Sequence, residues 1–199
     1  MTYTPVAHPR SLPRSLPRFG VVDIETSGLS TRRHRILQIG LVTVAAGEIA
    51  DQWSTLVRLR WPWQRVGPRR VHGLTRHELR GAPTLRSALT ELAGRLDGSV
   101  FTAHNADFDA AFLERAARRE HVALPLGPRV CTLRLSRGLD PERQLSHRLG
   151  DICGRYGVAL DRPHDALHDA IATASVLPHL LAEHGVDSGE SLAALYVAR

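Results

Sequence analysis

The sequence predicts a single α/β domain whose mixed five-stranded sheet carries helices on both faces. Three segments rich in β-branched residues, 19–25, 35–45 and 48–58, follow one another with short connections, which favours an antiparallel meander. Further along the chain, short apolar runs at 99–103 and 129–132 alternate with segments of helical periodicity. Strands joined through helices tend to pair in parallel, so we expect both kinds of pairing in one sheet.

Apolar residues between and after these strands recur at helical spacing. Leu85, Leu89 and Leu92 show the pattern most clearly. The predicted helices are 84–97, 105–120, 146–156 and 166–184. Threonine side chains accept hydrogen bonds from the first amide groups of a helix, so Thr75 and Thr84 are candidate helix caps.

A chain of 199 residues is about the length of one domain with a full-sized core, and no linker divides it. We expect this domain to span residues 19–185. Residues 1–18 contain the repeat RSLPRSLPR, whose density of Pro and Arg favours a flexible basic arm. Such an arm either touches a phosphate backbone or has no role in binding. Residues 186–199 are predicted to form a tail or a short helix.

The charge of the chain favours a polyanionic partner such as nucleic acid. The formal net charge is +6, and all 26 basic residues counted as lysine or arginine are arginine. Charge alone leaves a merely basic surface as an equal alternative.

The cysteine content favours a protein of a reducing cytoplasm. Cys131 and Cys153 lie far apart in apolar surroundings, and we expect both to be free and buried. The first residues lack the apolar core of a secretory signal, and no apolar run reaches the length of a membrane span. The sequence therefore predicts no membrane association, and it leaves the oligomeric state undetermined.

The segment RLRWPWQRVGPRR, residues 58–70, combines five arginines with two tryptophans. Arginine for phosphates and tryptophan for base stacking is a composition typical of single-strand binding. The alternative is a surface loop whose tryptophans cover the edge of the core.

The segment FGVVDIETSGL, residues 19–29, contains the first predicted strand and the turn that follows it. Near the end of the strand, two carboxylates lie two positions apart. In a strand, residues i and i+2 point to the same face, so Asp23 and Glu25 should stand side by side. Two like charges this close resist ionisation, and a bridging cation such as Mg²⁺ or Mn²⁺ relieves the repulsion. An isolated pair of this kind is more often a solvated strand end.

Two further motifs place carboxylates in the first turn of a predicted helix. HNADFD, residues 104–109, joins a strand to a helix and contains Asp109. HDALHDA, residues 164–170, places His164 on a loop and Asp169 one turn into the next helix. Each motif alone is compatible with simple helix-end electrostatics.

Together the motifs give the order D-x-E, then D, then H-x4-D, and this order resembles the DEDDh family of 3′→5′ exonucleases. The resemblance extends from about Phe19 to Leu181 through DIETSGL, VHGLT, HNADFD and HDALHDA. It is strongest to the proofreading exonucleases of the DNA polymerase III epsilon type.

The resemblance implies a ribonuclease H-like fold with two Mg²⁺ or Mn²⁺ ions in the active site. The implied metal ligands are Asp23, Glu25, Asp109 and Asp169. His164 is the implied general base, with the neighbouring His168 as a competing candidate. Two such metals can stabilise the attacking and leaving oxygens of a displacement at phosphorus, and imidazole accepts a proton near neutral pH.

The resemblance also implies that nucleoside 5′-monophosphates are released from a 3′ end. The first hypothesis for the substrate is single-stranded DNA, and the sequence does not separate DNA from RNA. An exoribonuclease acting on RNA 3′ ends is the alternative, and a non-catalytic binding module is a third. DNA polymerase is a candidate partner. The implied substrate contacts are Thr26, Gly28, Leu29, His72, His104, Asn105 and Phe108, of which Phe108 is also suited to core packing.

Overall fold

The computed structural model describes residues 12–197 and contains the expected mixed sheet. The strands are β1 Arg18–Thr26, β2 Ile36–Ala45, β3 Glu48–Leu56, β4 Ser99–Ala103 and β5 Arg129–Cys131. Their order across the sheet is β3-β2-β1-β4-β5. The first three strands pair antiparallel, whereas β4 pairs parallel to both β1 and β5. This confirms the predicted combination of a meander with parallel strands.

The helices are α1 Arg69–His72, α2 Arg76–Arg80, α3 Leu85–Leu96, α4 Ala106–Glu120, α5 Thr132–Gly138, α6 Leu149–Tyr156, α7 Ala166–Glu183 and α8 Gly189–Ala193. The four predicted helices are present as α3, α4, α6 and α7, and α6 begins three residues later than predicted. Thr75 and Thr84 cap α2 and α3, as expected.

Helix α5 was not predicted, and it shortens the strand expected at 129–132. Thr132 is the first residue of α5, so β5 ends at Cys131. The helix has only seven residues, which is too short for a helical period to stand out in the sequence.

The core forms two layers, one on each face of the sheet. Adjacent residues of β1 point to opposite faces, so Val21 and Val22 belong to different layers. Val21 packs with Leu177 of α7, and Val22 packs with Leu113 of α4. The sheet therefore holds α7 and α4 on opposite sides of β1.

The described part of the predicted arm packs against the domain, which corrects the expectation of a flexible segment there. Leu12 and Leu16 are 5% and 7% exposed and belong to the same core layer as Val21. The backbone of Leu12 also lies against Gly47, where a Cβ atom would be 2.7 Å from the Leu12 carbonyl oxygen. The two leucines of the repeat supply apolar surface that becomes buried, and this outweighs the high content of Pro and Arg. Residues 1–11 of the predicted arm lie outside the described residues.

The C-terminal segment contains α8, and the residues after this helix return to the edge of the sheet beside β5. The Val197 amide donates a hydrogen bond of 2.9 Å to the Arg129 carbonyl.

Cys131 and Cys153 are buried and free, as predicted. Among the described residues, no helix has both the length and the apolar character needed to cross a membrane.

Candidate active site

Strand β1 places Asp23 and Glu25 on the same face of the sheet, next to the start of α7. Their partners on β2 are Gly40 and Gln38. A Cβ atom on Gly40 would lie 2.2 Å from the carbonyl oxygen of Ala166, the first residue of α7. Only glycine fits this close approach, and it lets α7 begin directly over the carboxylates.

Asp109 reaches the same end of the sheet because β4 runs parallel to β1. Asn105, between β4 and α4, adopts a left-handed conformation with φ 72°. Helix α4 then starts close to the end of β1, and Asp109 in its first turn is 3% exposed. The positive end of a helix favours a carboxylate at this position.

Helix α7 brings the third acidic segment and the histidine to the cluster. Asp169 lies in its first turn, and its Oδ2 accepts a 3.1 Å hydrogen bond from the His164 amide. His164 itself has a left-handed backbone, φ 67°, and an exposed side chain. Ligand atoms of Glu25, His164 and Asp169 all lie within 4.8 Å of one another.

The acidic side chains make one another hard to ionise. Burial, together with Asp109, Asp169 and Glu25, raises the pKa of Asp23 well above its usual range. Burial and the nearby Asp169 raise the pKa of Glu25 to about 8. Burial likewise raises the pKa values of Asp109 and Asp169.

This group of carboxylates fits a divalent cation. Asp169 Oδ1 is buried and has no hydrogen-bond partner among the described residues. A hard cation with several oxygen ligands would satisfy this atom and relieve the repulsion among Asp23, Glu25 and Asp109.

The raised pKa of Glu25 predicts a stability that depends on pH when metal is absent. An unfolded glutamate has a pKa of about 4.3, whereas folding raises that of Glu25 to about 8. Between these values the folded state binds more protons, so its free energy of unfolding falls as pH rises. We expect the melting temperature in EDTA to decrease from pH 5 to pH 8 (a window of about three units).

Circular dichroism melts of the wild type and of Glu25→Gln test this expectation. The variant cannot ionise at position 25 and should show a weaker pH dependence in EDTA. Added Mg²⁺ or Mn²⁺ should raise the wild-type melting temperature most at high pH. A wild-type melting temperature that is independent of pH in EDTA would contradict the arrangement.

The turn after β1 is held mainly by its own residues. The Thr26 hydroxyl donates a 2.9 Å hydrogen bond to the Gly28 carbonyl. Gly28 has φ 149°, and a Cβ atom there would meet the His34 ring at 2.7 Å. Leu29, at the tip of the turn, is 83% exposed. A large apolar side chain is thus exposed to solvent four residues after Glu25.

The structure places His72 close to this turn, as the buried last residue of α1. Its Nε2 donates to the Val66 carbonyl at 3.1 Å, and its Nδ1 accepts from the Leu74 amide at 3.1 Å. Gly67, next to Val66, packs against the backbone of Ser27 in the turn. His72 therefore fixes a loop that supports the turn.

The other predicted substrate residues lie at the junction of β4 and α4. Burial lowers the pKa of His104 to about 4, and its Nδ1 forms a 3.0 Å hydrogen bond with the Thr132 hydroxyl. Phe108 packs against Phe112, with ring centroids 5.0 Å apart, and partly joins the core. The Asn105 side chain is exposed.

Gln38 and Asp165 were not identified from the sequence, although they connect β2 to the start of α7. Gln38 Nε2 donates to Asp165 Oδ2 at 3.2 Å, and Gln38 Oε1 accepts from the Ala166 amide at 3.3 Å. Asp165 Oδ1 also lies 3.0 Å from His168 Nδ1. The pair thus anchors the helix that carries Asp169. The available signal was a glutamine in an otherwise apolar strand, directly opposite Glu25.

A ribonuclease H-like sheet with a buried carboxylate cluster at the end of its first strand defines a nuclease-type site. A family model described as Exonuclease, RNase_T, matches residues 21–177. The chain therefore belongs to this exonuclease family, whose members depend on metal ions.

One similar protein is the PolC-type DNA polymerase III of Streptococcus thermophilus. The two chains are 32% identical over 176 residues, which cover 86% of this chain. The same alignment spans only 12% of the polymerase, so the likeness concerns a small part of that protein.

Two solved structures share the fold. Exonuclease X in complex with 5′ overhanging duplex DNA is 26% identical, with a TM-score of 0.66, covering 89% of this chain and 98% of that one. The nuclease domain of 3′hExo, a DEDDh family member bound to rAMP, is 17% identical, with a TM-score of 0.69 and coverages of 83% and 92%. These similarities confirm the predicted family and the ribonuclease H-like fold.

Proposed function

We propose that this chain is a metal-dependent 3′→5′ exonuclease that shortens single-stranded DNA from its 3′ end and releases nucleoside 5′-monophosphates. The observation that supports the proposal is the convergence of three distant segments. The four acids, which lie on β1, α4 and α7, are close enough to raise one another's pKa values. They are Asp23, Glu25, Asp109 and Asp169. Oxygen atoms of Glu25 and Asp169 lie within 4.8 Å of each other. His164 lies at the same cluster.

The four carboxylates would hold Mg²⁺ or Mn²⁺, two ions per site by the family resemblance. When bound, such ions stabilise the charge that develops on the scissile phosphate and make a bound water more acidic. Asp109, which is 3% exposed, and Asp23 on the neighbouring strand would fix the geometry of the site. Glu25 and Asp169 would complete the ligand set beside His164.

His164 would accept the proton of the attacking water. Its exposed ring lies beside Glu25 and Asp169, while its own amide is fixed to Asp169 by the 3.1 Å hydrogen bond. A base that is anchored through its backbone can keep its ring free for proton transfer. His168 is less suited to this role, because the ligand atoms that lie within 4.8 Å of one another belong to Glu25, His164 and Asp169, and His168 is not in that group.

The turn after β1 would receive the terminal nucleotide. Leu29 offers an exposed apolar contact for the base or sugar, and Thr26 and Gly28 give the turn its shape. We propose that His72 acts by supporting this turn, since both of its ring nitrogens are already engaged.

The remaining contacts would come from the junction of β4 and α4. Asn105 is exposed there and can reach a phosphate or sugar. His104 and Phe108 would shape the floor of the site, because each is held by a neighbouring side chain.

DNA is the favoured substrate because the more similar proteins are associated with DNA. The polymerase, at 32% identity, is a DNA polymerase by name, and the structure of Exonuclease X, at 26% identity, is a complex with 5′ overhanging duplex DNA. The neighbour bound to rAMP is 17% identical and shares the fold alone. We further propose that the chain acts in proofreading or repair together with a DNA polymerase.

The test uses 5′-labelled single-stranded DNA and RNA of the same sequence, each with Mg²⁺, Mn²⁺ or EDTA. We expect a ladder of products that shorten from the 3′ end, in either metal but not in EDTA, with DNA degraded faster than RNA. Asp169→Ala should produce no ladder and excludes a contaminating nuclease.

Three outcomes would contradict parts of the proposal. Immediate release of the labelled mononucleotide would indicate degradation from the 5′ end. Faster degradation of RNA would favour the exoribonuclease. Binding without cleavage in any metal would favour a non-catalytic binding module.

A further inference from the structure

An arginine-lined cavity of about 720 Å³ lies outside the carboxylate cluster. It is bounded by the start of β2, the segment after β3, the start of α3 and the end of α4. The side chains that dominate its lining are Arg35, Arg58, Arg60, Arg86, Arg119 and Trp61. We call these six residues the arginine groove. A smaller cavity of about 280 Å³ on the other side of the segment 58–61 adds Arg76 and Arg80.

The arginine groove holds more positive charge than its surroundings balance. Among the described residues that line the larger cavity, Glu120 alone is acidic, and it pairs with Arg119 at 3.2 Å. Arg35 Nε is buried and has no hydrogen-bond partner among the described residues. Burial and the charges of Arg119 and Arg115 lower the pKa of Arg35. Cations gathered from several segments in this way favour a polyanion between them.

Two tryptophans stand at the rim of the arginine groove. The rings of Trp61 and Trp63 are stacked, with centroids 5.2 Å apart and planes 5° from parallel. Their exposed fractions are 44% and 74%, so the alternative that they cover the edge of the core is wrong. Arg60 lies over the Trp61 ring at 5.0 Å. Exposed aromatic faces beside arginines suit unpaired bases, which duplex DNA does not offer.

The arginine groove connects directly to the turn beside the carboxylates. The Arg35 amide donates to Ser27 Oγ at 2.9 Å, and the Ser27 amide donates to the Arg35 carbonyl at 2.9 Å. Ser27 is only two residues beyond Glu25. At the other end of the tryptophan segment, Gly67 packs against the Ser27 backbone. One strand could thus pass from the carboxylates into the groove.

We propose that the arginine groove binds the phosphates of the single strand upstream of its 3′ end, while Trp63 stacks on one of its bases. The proposal rests on the proposed function for the position of the 3′ terminus. It extends that function by making longer single strands the preferred substrates. Several phosphates bound away from the reacting one would add affinity without changing the chemistry at the terminus.

The test measures binding, by fluorescence anisotropy in EDTA, of oligothymidylates about 4 and about 20 nucleotides long. The variant Arg58→Gln/Arg60→Gln/Arg86→Gln neutralises three exposed side chains of the groove. We expect it to weaken binding of the longer strand at least about ten-fold and to lower its salt slope by about two, since each phosphate contact contributes about 0.7. Binding of the short strand should change much less.

The matched control is Arg137→Gln/Arg143→Gln/Arg148→Gln, which removes the same charge from exposed positions outside both cavities. It should leave the length preference intact. Trp63→Ala should weaken binding of the longer strand about five-fold or more, the expected effect of one lost stacking contact.

Equal losses in the two triple variants would overturn the proposal, because they would indicate a response to net charge alone. Tighter binding of a blunt duplex than of the single strand, or a preference for an acidic peptide, would overturn the assignment to a single strand. Because binding is measured without metal, its result does not depend on turnover. A nuclease whose length preference survives the groove variant would leave the proposed function standing and remove only this inference.

Discussion

Asp23→Asn is expected to lower exonuclease turnover by about a thousand-fold or more while raising the melting temperature in EDTA. Loss of turnover follows because a metal ligand contributes several kcal/mol of transition-state stabilisation, and each 1.4 kcal/mol (roughly) is a factor of ten in rate. The gain in stability follows because burial and four neighbouring carboxylates raise the pKa of Asp23 and oppose its ionisation. A neutral side chain of the same shape removes that repulsion.

Asp107→Asn is the matched control for this result. Asp107 lies in the first turn of α4, close in sequence to Asp109, but its side chain is exposed and pairs with Arg134 at 2.8 Å. Exposed ion pairs contribute little, so neither turnover nor melting temperature should change much. Near-normal turnover in Asp23→Asn would remove Asp23 from the metal ligands. A lower melting temperature in EDTA would contradict the repulsion among the acids.

His164→Ala is expected to reduce turnover near neutral pH by about a hundred- to ten-thousand-fold, the usual contribution of a general base. The loss should be largest at neutral pH and smaller at high pH, where hydroxide replaces the missing base. The measurement is the rate on single-stranded DNA with saturating Mg²⁺ across a range of pH.

His168→Ala is the comparison for this variant. His168 follows Asp165 by three residues, and its Nδ1 forms a 3.0 Å hydrogen bond with the Asp165 carboxylate at the start of α7. We expect a small loss of turnover with an unchanged pH profile. If His168→Ala loses more activity than His164→Ala, the two histidines exchange roles. If neither variant alters the profile, solvent or a metal-bound group performs the proton transfer.

Much of the fold could be predicted because its signals are local. Strand alternation in β1 determines that Asp23 and Glu25 share a face, and this requires only their own spacing. The short connections after β1 and β2 favour antiparallel pairing. Thr84 marks the start of α3, because its hydroxyl accepts a hydrogen bond from the Ser87 amide. The grouping of the four acids and His164 followed from the order of three motifs, which matches a known family.

The remainder depended on contacts between distant parts of the chain. Gln38 and Asp165 are 127 residues apart in sequence. No local pattern indicates that their side chains meet at the start of α7. Leu12 is buried because Gly47 lets the backbone approach, although composition favoured a flexible arm. Strand β5 is one residue shorter than predicted, because α5 begins at Thr132 without an intervening turn.

The sequence by itself determined the class of protein, since carboxylates and a histidine at family spacing identified the exonuclease family that the chain belongs to. Only the tertiary structure decided what surrounds them. Arg35, Arg86 and Arg119 come from the segment before β2, from α3 and from α4, and they look like ordinary surface charges in the sequence. They form one groove because β2, α3 and α4 pack together at one side of the sheet. Burial and long-range electrostatics depend on the positions of all neighbours in space, and sequence spacing specifies only those within one element.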